Sequence, residues 1–420
     1  MASQSASVGN GMSDGGGSPR KVLIIGSGFG GLRCARELSK SKSVHVTLID
    51  RNPYQLFAPL LYQVATGGLS EDDIAYSVRG AIPGVDFRRG IVVRIDIERK
   101  NIRLEDGTVL PFDDLVLATG STGATFGVVG VAEYALQMKT MDQARAIRNQ
   151  LLSIYEEIEN GHRPKEHLRV VVVGGGPTGV EVSGAVAELQ RSIKREFPDL
   201  ADAASVTLVE AGPRLLPSFT EKSSAHAKSE LEDLGARVMV DAAVDRMYPN
   251  DVHLKSGEVL AAGTIVWAAG VAAHEEWASL GLADRSNRLR VKPTLELVDH
   301  VWIIGDAACL DGPDGRPLPM IAPVAMQMGR HVAAQIKAQI ADEPLTDFKY
   351  KDKGQMATIG RRRAVVEAKG VRLHGTIAWM AWLGLHVFYL AGGRNRTSVV
   401  ANWMWNYVVW GVGARPVVID

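Results

Sequence analysis

The residues with the clearest chemical purpose are glycines and carboxylates at fixed intervals. Gly26, Gly28 and Gly31 stand in G-x-G-x-x-G spacing immediately after the apolar run 22–25. A second apolar run ends in Asp50, 19 residues beyond Gly31. Each part has a task in holding a dinucleotide. The first glycine permits a tight turn, the second lets a pyrophosphate approach the backbone, and the third lets helix and strand pack closely. Free N–H groups at the helix start then face the phosphates, and the terminal acid accepts from ribose hydroxyls. The same pattern returns at 170–173, with Gly174, Gly176 and Gly179 and a following strand that ends in Glu210. Two such units imply two dinucleotides in one chain.

Those residues must be carried by strand–turn–helix elements, and the sequence supplies them twice. Leu32, Ala35 and Leu38 recur at helical spacing after the first glycines. Residues 102–120 align on 252–270 at a constant offset of 150, pairing Leu104 with Leu254, Gly107 with Gly257 and Gly120 with Gly270. This is a duplication of a whole nucleotide-binding unit. Residues 91–120 read as a β-meander feeding a buried strand, and 140–160 as a helix. Residues 51–69 carry two prolines, aromatics and paired glycines, which predicts a long ordered loop packed on a flat ring or on a neighbouring domain. A further apolar strand stops at Gly305-Asp306, where the acid can orient ligand hydroxyls near the first site or cap a helix.

Two acids of the second unit invite separate readings. A carboxylate at Glu210 accepts from a ribose 2′-hydroxyl and repels a 2′-phosphate, although Arg214 lies nearby. Glu181, just inside the second helix, suits a first helical turn on electrostatic grounds alone.

With 420 residues, two or three domains are expected. The 47 basic and 47 acidic residues balance, so nothing points to a nucleic acid partner. Only Cys34 and Cys309 are present, in no C-x-x-C, which argues against a disulfide framework, a cysteine metal site or a paired-cysteine redox centre. No metal is expected. Residues 1–18 read as a disordered Ser/Gly tail and not as a signal peptide.

From Arg361 onward eight basic residues face two acids. Residues 375–393 carry no formal charge, and five of the eight tryptophans lie between 379 and 410. A spanning helix needs about 20 apolar residues, and this stretch barely reaches that length. A buried core helix has no need of so many tryptophans or flanking arginines. A helix lying in the membrane interface wants this mixture, with aromatic and aliphatic residues inward and arginines toward anionic head groups. The same composition suits a homodimer contact.

Together, the paired units, the strand ending in Gly305-Asp306 and the LATG/WAAG pair resemble the two-dinucleotide-binding-domain flavoproteins of the pyridine-nucleotide disulfide reductase type. Within that group, Leu60-Leu-Tyr-Gln-Val-Ala-Thr-Gly, Gly174-Gly-Gly-Pro-Thr-Gly-Val-Glu, Ala322-Pro-Val-Ala-Met-Gln and Gly393-Arg-Asn-Arg look like type II NADH:quinone oxidoreductases. The resemblance implies an α/β fold with two Rossmann-like domains in a glutathione-reductase-like arrangement and a C-terminal membrane-associating helical segment. Its implied boundaries are 19–130 with 295–360 for FAD, 131–294 for NAD(H), and 361–420 for the membrane.

The resemblance assigns FAD to Gly26, Gly28, Phe29, Gly30, Gly31, Asp50, Arg51, Thr66, Ala118, Thr119, Gly120, Gly305, Asp306 and Ala325. It assigns NADH to Gly174, Gly176, Gly179, Glu210, Ala269 and Gly270, and gives catalytic roles to Glu181 and Gln327. Pro323 replaces the first of two glutamines common in the family's quinone motif, so that glutamine's role does not carry over. The implied activity is non-proton-pumping transfer of a hydride from NADH to FAD and of two electrons to a membrane quinone. The implied location is monotopic, on the cytoplasmic face of a bacterial inner membrane with an anionic lipid surface. Rival readings are a sulfide:quinone oxidoreductase, a ferredoxin-type flavin reductase and a non-catalytic NAD(H)-sensing flavoprotein.

Overall fold

The computed structural model describes residues 18–408, with side chains to residue 405. The expected N-terminal tail lies almost wholly outside the described residues.

The buried run 22–25 becomes the strand Arg20–Ile25, which pairs in parallel with Val44–Asp50 on one side and Asp114–Leu117 on the other. Covered on both faces, the strand is apolar at every position from Val22 to Ile25, as the buried part of a central parallel strand must be. The six-stranded sheet continues outward to Asp86–Arg89 at one edge, and through Val301–Ile303 to Glu296–Val298 at the other. The strand before Gly305-Asp306 is therefore a member of the first sheet, delivered from far along the chain.

The second unit repeats this plan. Arg169–Val173 pairs in parallel with Ser205–Val209 and Thr264–Trp267, and Arg237–Met239 and Leu136–Gln137 form the edges. Each unit carries a three-stranded antiparallel meander, 92–111 in the first and 244–261 in the second. Even the register irregularity is copied, between Val92/Arg94 and between Val244/Arg246. An antiparallel pair, Ser121–Gly123 against Val271–Ala273, ties the ends of the two duplicated segments together.

Residues 51–69 are more structured than a loop. Tyr54–Leu56 pairs with Ala75–Ser77, and a 3-10 turn at Ala58–Leu60 leads into the helix Leu61–Ala65. Phe57, Leu60, Leu61 and Val64 are buried in the same core as Leu151 of the helix Met141–Glu159 and Val186 of the helix Pro177–Ile193. The neighbouring domain thus takes up much of this segment's apolar surface.

The boundary expected at 360/361 falls inside a hairpin. Gln355–Gly360, Arg363–Ala368 and Val371–His374 form one antiparallel sheet. The change of charge at Arg361 is real, but Ala357, Ile359, Ala364 and Val365 stay buried on both sides of it, so packing crosses the compositional break. The helical segment starts later, as Gly375–Tyr389, and a short turn leads into Gly393–Val408. Fifteen residues make roughly 22 Å of helix, short of a hydrocarbon core of about 30 Å. No helix among the described residues is long and apolar enough to cross a membrane.

The tryptophans correct the sequence expectation in part. Trp379, Trp382 and Trp403 turn into the protein, where Trp382 stacks on His386 at 4.0 Å and lies 6.1 Å from Trp403. Trp405 is exposed, and Trp410 lies outside the described residues. The outward face is mostly aliphatic and thioether, with Ile377, Met380, Leu385, Phe388 and Met404 exposed. An indole buries more area than any of these side chains, which favours its use as packing against the body.

Polar contacts latch the second helix to the first domain. The Asn395 carboxamide donates to the carbonyls of Asp72, Asp73 and Ala75. Buried Asp73 accepts from Ser398 at 2.5 Å and from Asn402 at 2.8 Å. The Trp403 indole N–H donates to Gln63 at 2.7 Å.

Candidate active site

The two fingerprints build the same cradle. Gly26 (φ +101°) and Gly174 (φ +111°) adopt a backbone that side chains rarely take. A Cβ on Gly31 would stand 1.9 Å from the Gly26 carbonyl oxygen, and one on Gly179 would stand 1.7 Å from that of Gly174. The third glycine is fixed by helix-on-turn contact in both copies. A Cβ on Gly28 or on Gly176 meets nothing within 4 Å, so these middle glycines face open space in front of each helix. That geometry fits a pyrophosphate at a helix N-terminus.

The terminal acids brace the same turns. Asp50 accepts from the Ser27 backbone N–H at 2.6 Å and from its hydroxyl at 2.8 Å. Glu210 accepts from the N–H of Gly175 at 2.5 Å and of Gly212 at 2.6 Å. Arg214 is occupied elsewhere: it donates to the carbonyls of Phe219 and Pro217 and to the Ser224 hydroxyl. Its guanidinium organises the loop 217–224, and the carboxylate remains the charge that faces the second turn.

Several expected residues of the first site converge. Gly329 packs so closely on Gly30 that a Cβ there would lie 2.2 Å from the Gly30 carbonyl, which brings the helix Ala322–Ile340 against the first fingerprint helix. The start of that helix carries Ala325, next to Gly305. Ala118 crowds Gly26, and Gly120 (φ +73°) opens onto free space. The Thr119 hydroxyl oxygen is buried without a hydrogen-bond partner among the described residues, a polar atom aimed where a ligand could satisfy it. Asp306 lies in the 3-10 turn Gly305–Ala307 and accepts from the Ser121 hydroxyl at 2.6 Å; no helix begins there for it to cap. Thr66 closes its helix by donating to the Tyr62 carbonyl, and Arg51 is exposed. Phe29 meets Phe57 edge-on at 5.8 Å.

In the second site, Ala269 backs Gly174, and the Phe126 ring lies over Gly270. Glu181 falls in the second turn of the helix Pro177–Ile193. Desolvation pushes its carboxyl up to about 8, opposed by a hydrogen bond from the Thr358 backbone N–H. Gln327 is engaged elsewhere. Its carboxamide makes a matched pair with the Lys351 peptide, donating at 3.0 Å and accepting at 3.0 Å.

Sequence reading missed Lys139. Its ammonium donates to Ser121 at 3.0 Å beside Asp306, and burial lowers its pKa against the pull of that acid. Nothing in the local pattern marks it, since it merely precedes the helix cap Thr140. His386 is the other omission. Burial pushes it down to about 4, and its Nδ1 donates to the Trp382 carbonyl at 2.7 Å.

The comparisons with known proteins agree with this architecture. Residues 20–329 match the pyridine nucleotide-disulphide oxidoreductase family. The type II NADH:quinone oxidoreductase Ndh of Mycobacterium tuberculosis is 35% identical over 91% of this chain and 87% of its own length. The chain belongs to the type II NADH:quinone oxidoreductases.

The Haemophilus influenzae member of this family is 32% identical over 82% of the chain and 86% of its own length. Among solved structures, NDH2 of Plasmodium falciparum in complex with NADH superposes with a TM-score of 0.86 at 22% identity, covering 95% of this chain and all of that one. The sulfide:quinone oxidoreductase of Aquifex aeolicus shares the fold, with a TM-score of 0.70 at 18% identity over 94% of this chain and 96% of that one.

Proposed function

We infer that this type II enzyme oxidises NADH and reduces a quinone, using FAD in the first nucleotide unit and NADH in the second. The observation that carries this reading is the duplication of one phosphate cradle, acid included, in two domains joined by the 121–123/271–273 ribbon. When bound, the flavin supplies the redox chemistry, taking a hydride from NADH and passing two electrons to the quinone.

The chain's own residues position and protonate. Gly26, Gly28, Gly30 and Gly31, together with the helix start at Phe29, receive the FAD pyrophosphate. Asp50 and Arg51 lie at its adenosine end, and Thr66, Ala118, Thr119, Gly120, Gly305, Asp306 and Ala325 surround its remainder. Gly174, Gly176, Gly179, Ala269 and Gly270 receive NADH, and Glu210 selects it over NADPH. Glu181, with its raised pKa, holds a proton near neutral pH and releases it when the quinone is reduced. Gln327 acts from the quinone side through the loop that its pair with Lys351 orders.

The exposed face of the hairpin 375–408 lies on an anionic lipid surface, on the cytoplasmic side of a bacterial inner membrane. A homodimer through the same face is the competing arrangement, and light scattering in detergent separates the two. The rival sulfide chemistry needs reactive sulfur beside the flavin, whereas Cys34 and Cys309 are both buried and unpaired. NADH drives quinone reduction by the holoenzyme, and sulfide in its place does not. Sulfide-driven quinone reduction at a comparable rate refutes the assignment.

A further inference from the structure

A cavity of about 440 Å³ opens beside the turn between the two C-terminal helices. Its inner wall is the first fingerprint helix, which contributes Arg33 and Arg36. Its outer wall is the turn 388–392, followed by Arg396, and the segment carrying Gln55 and Tyr76 closes the third side. Among the described residues, three arginines thus line one pocket and no carboxylate does.

These cations have been given fixed places. Arg36 donates to the Ala81 carbonyl at 3.1 Å, and Arg396 donates to the carbonyls of Leu390 and Phe388 at 2.8 and 2.9 Å. Arg33 leans on Glu37 at 2.8 Å, an acid outside the lining that also pairs with Lys40. A guanidinium carries five donors, so each arginine keeps N–H groups for a further acceptor. Gly392 (φ +81°) packs against the Tyr76 ring, where a Cβ would stand 2.4 Å from a ring carbon, and this holds the turn against the pocket wall.

Ligand class follows from charge and position. A quinone's neutral carbonyls do not require three cations in one pocket, whereas a phosphate diester matches guanidinium geometry. The pocket mouth includes Phe388, which is 69% exposed and belongs to the apolar face of the hairpin. A ligand seated here has its anionic part among arginines and its continuation beside that face.

We propose that this pocket is a specific site for the phosphate head group of an anionic phospholipid whose acyl chains run along the exposed face of the hairpin. The proposal rests on the reading that this hairpin meets the membrane, and it adds a stereochemically defined contact to a general attraction. It also links membrane lipid to the first fingerprint helix, since Phe29 and Arg33 lie on the same helix as the second and third glycines' turn.

The test uses full-length holoenzyme and sedimentable vesicles of phosphatidylcholine, with or without phosphatidylglycerol. The expected result is tighter wild-type binding to the anionic vesicles. The pair Arg33→Gln/Arg36→Gln loses about thirtyfold of that preference, taking the usual worth of a basic residue near an anionic surface. Flavin content and melting temperature report whether the pair folds; if it does not, each single variant serves, with a loss of about fivefold. Arg33→Lys/Arg36→Lys retains the general attraction to the charged surface but still binds the anionic vesicles several-fold more weakly than wild type, because lysine cannot offer the planar fork to a phosphate. Glycerol phosphate in excess leaves wild-type binding in place, since it lacks the acyl chains.

Wild-type protein that ignores every vesicle overturns the membrane reading itself. Wild type and the paired variant binding anionic vesicles equally overturns the pocket and leaves the membrane reading intact. Displacement by inorganic phosphate as efficient as by short-chain phosphatidylglycerol assigns the pocket to a free anion and overturns the lipid.

Discussion

Gly184 lies flat against the carbonyl of Ile359: a Cβ on that glycine would stand 1.6 Å from the oxygen. This contact joins the second fingerprint helix to the strand Gln355–Gly360 and, one turn earlier on the same helix, sets Glu181 beside Thr358. Gly184→Ala must push helix and strand apart. Overpacking of this kind costs about 1–3 kcal/mol, so the melting temperature of the holoenzyme falls by several degrees. A melting curve that matches wild type contradicts the contact.

Glu181 predicts a pH dependence with a definite sign. Burial raises its carboxyl to about 8 from the ordinary 4.5. The folded chain therefore keeps a proton that the unfolded chain releases, and stability falls as pH rises from about 4.5 through about 8. Glu181→Gln removes this slope and gains its largest stability advantage at the alkaline end. In rapid mixing, the same variant leaves flavin reduction by NADH fast and slows reoxidation by quinone by about 10²-fold, the usual scale of one proton-transfer group. Equal loss in both half-reactions contradicts the assigned role.

Coenzyme preference turns on Glu210, because Arg214 is committed to the Phe219 and Pro217 carbonyls. A 2′-phosphate placed against that carboxylate meets like charge worth several kcal/mol, so NADH is preferred over NADPH by roughly hundredfold or more. Glu210→Ser narrows the ratio of kcat/KM values at least tenfold, on the same electrostatic ground. Comparable use of both coenzymes by the wild type would contradict the assignment.

The C-terminal hairpin should loosen without its amide latch. Asn395 is 7% exposed and serves three backbone carbonyls. Asn395→Ala leaves these acceptors without their donor, at a cost of about 1–3 kcal/mol. Limited proteolysis should then cut within 390–400 several times faster, with flavin content retained. An unchanged cleavage rate shows that packing of Trp382 and Trp403 alone holds the hairpin.

Acid should loosen the same hairpin. Burial depresses His386 to about 4 from 6.5, so the folded chain resists a proton that the unfolded chain accepts below about 6.5. Stability of this region is complete above that pH and declines as pH falls toward 4. His386→Phe keeps an aromatic ring on Trp382 and removes the decline. Hydrogen exchange across 375–408 at pH 5 and pH 7 measures it.

Much of the nucleotide architecture is legible in the sequence because its constraints are local. A glycine whose Cβ would stand under 2 Å from a backbone carbonyl oxygen, as at Gly31 and Gly179, leaves an unmistakable spacing. Central parallel strands announce themselves because both faces are covered. What escaped are residues chosen by the fold at long range. Lys139 is joined to Asp306 through Ser121, and Asn395 finds its acceptors more than 300 positions earlier in the chain. The tryptophans were visible, but their direction was not: composition cannot distinguish an indole facing lipid from one, like Trp382, packed on His386 and Tyr62.

Anaerobic titration of the holoenzyme tests the central claim most directly. One equivalent of NADH should bleach the oxidised flavin band, and one equivalent of a quinone analogue should then restore it, with no reductant other than NADH consumed. A flavin that NADH does not reduce, or a reduced flavin that quinone leaves unchanged, would contradict the account.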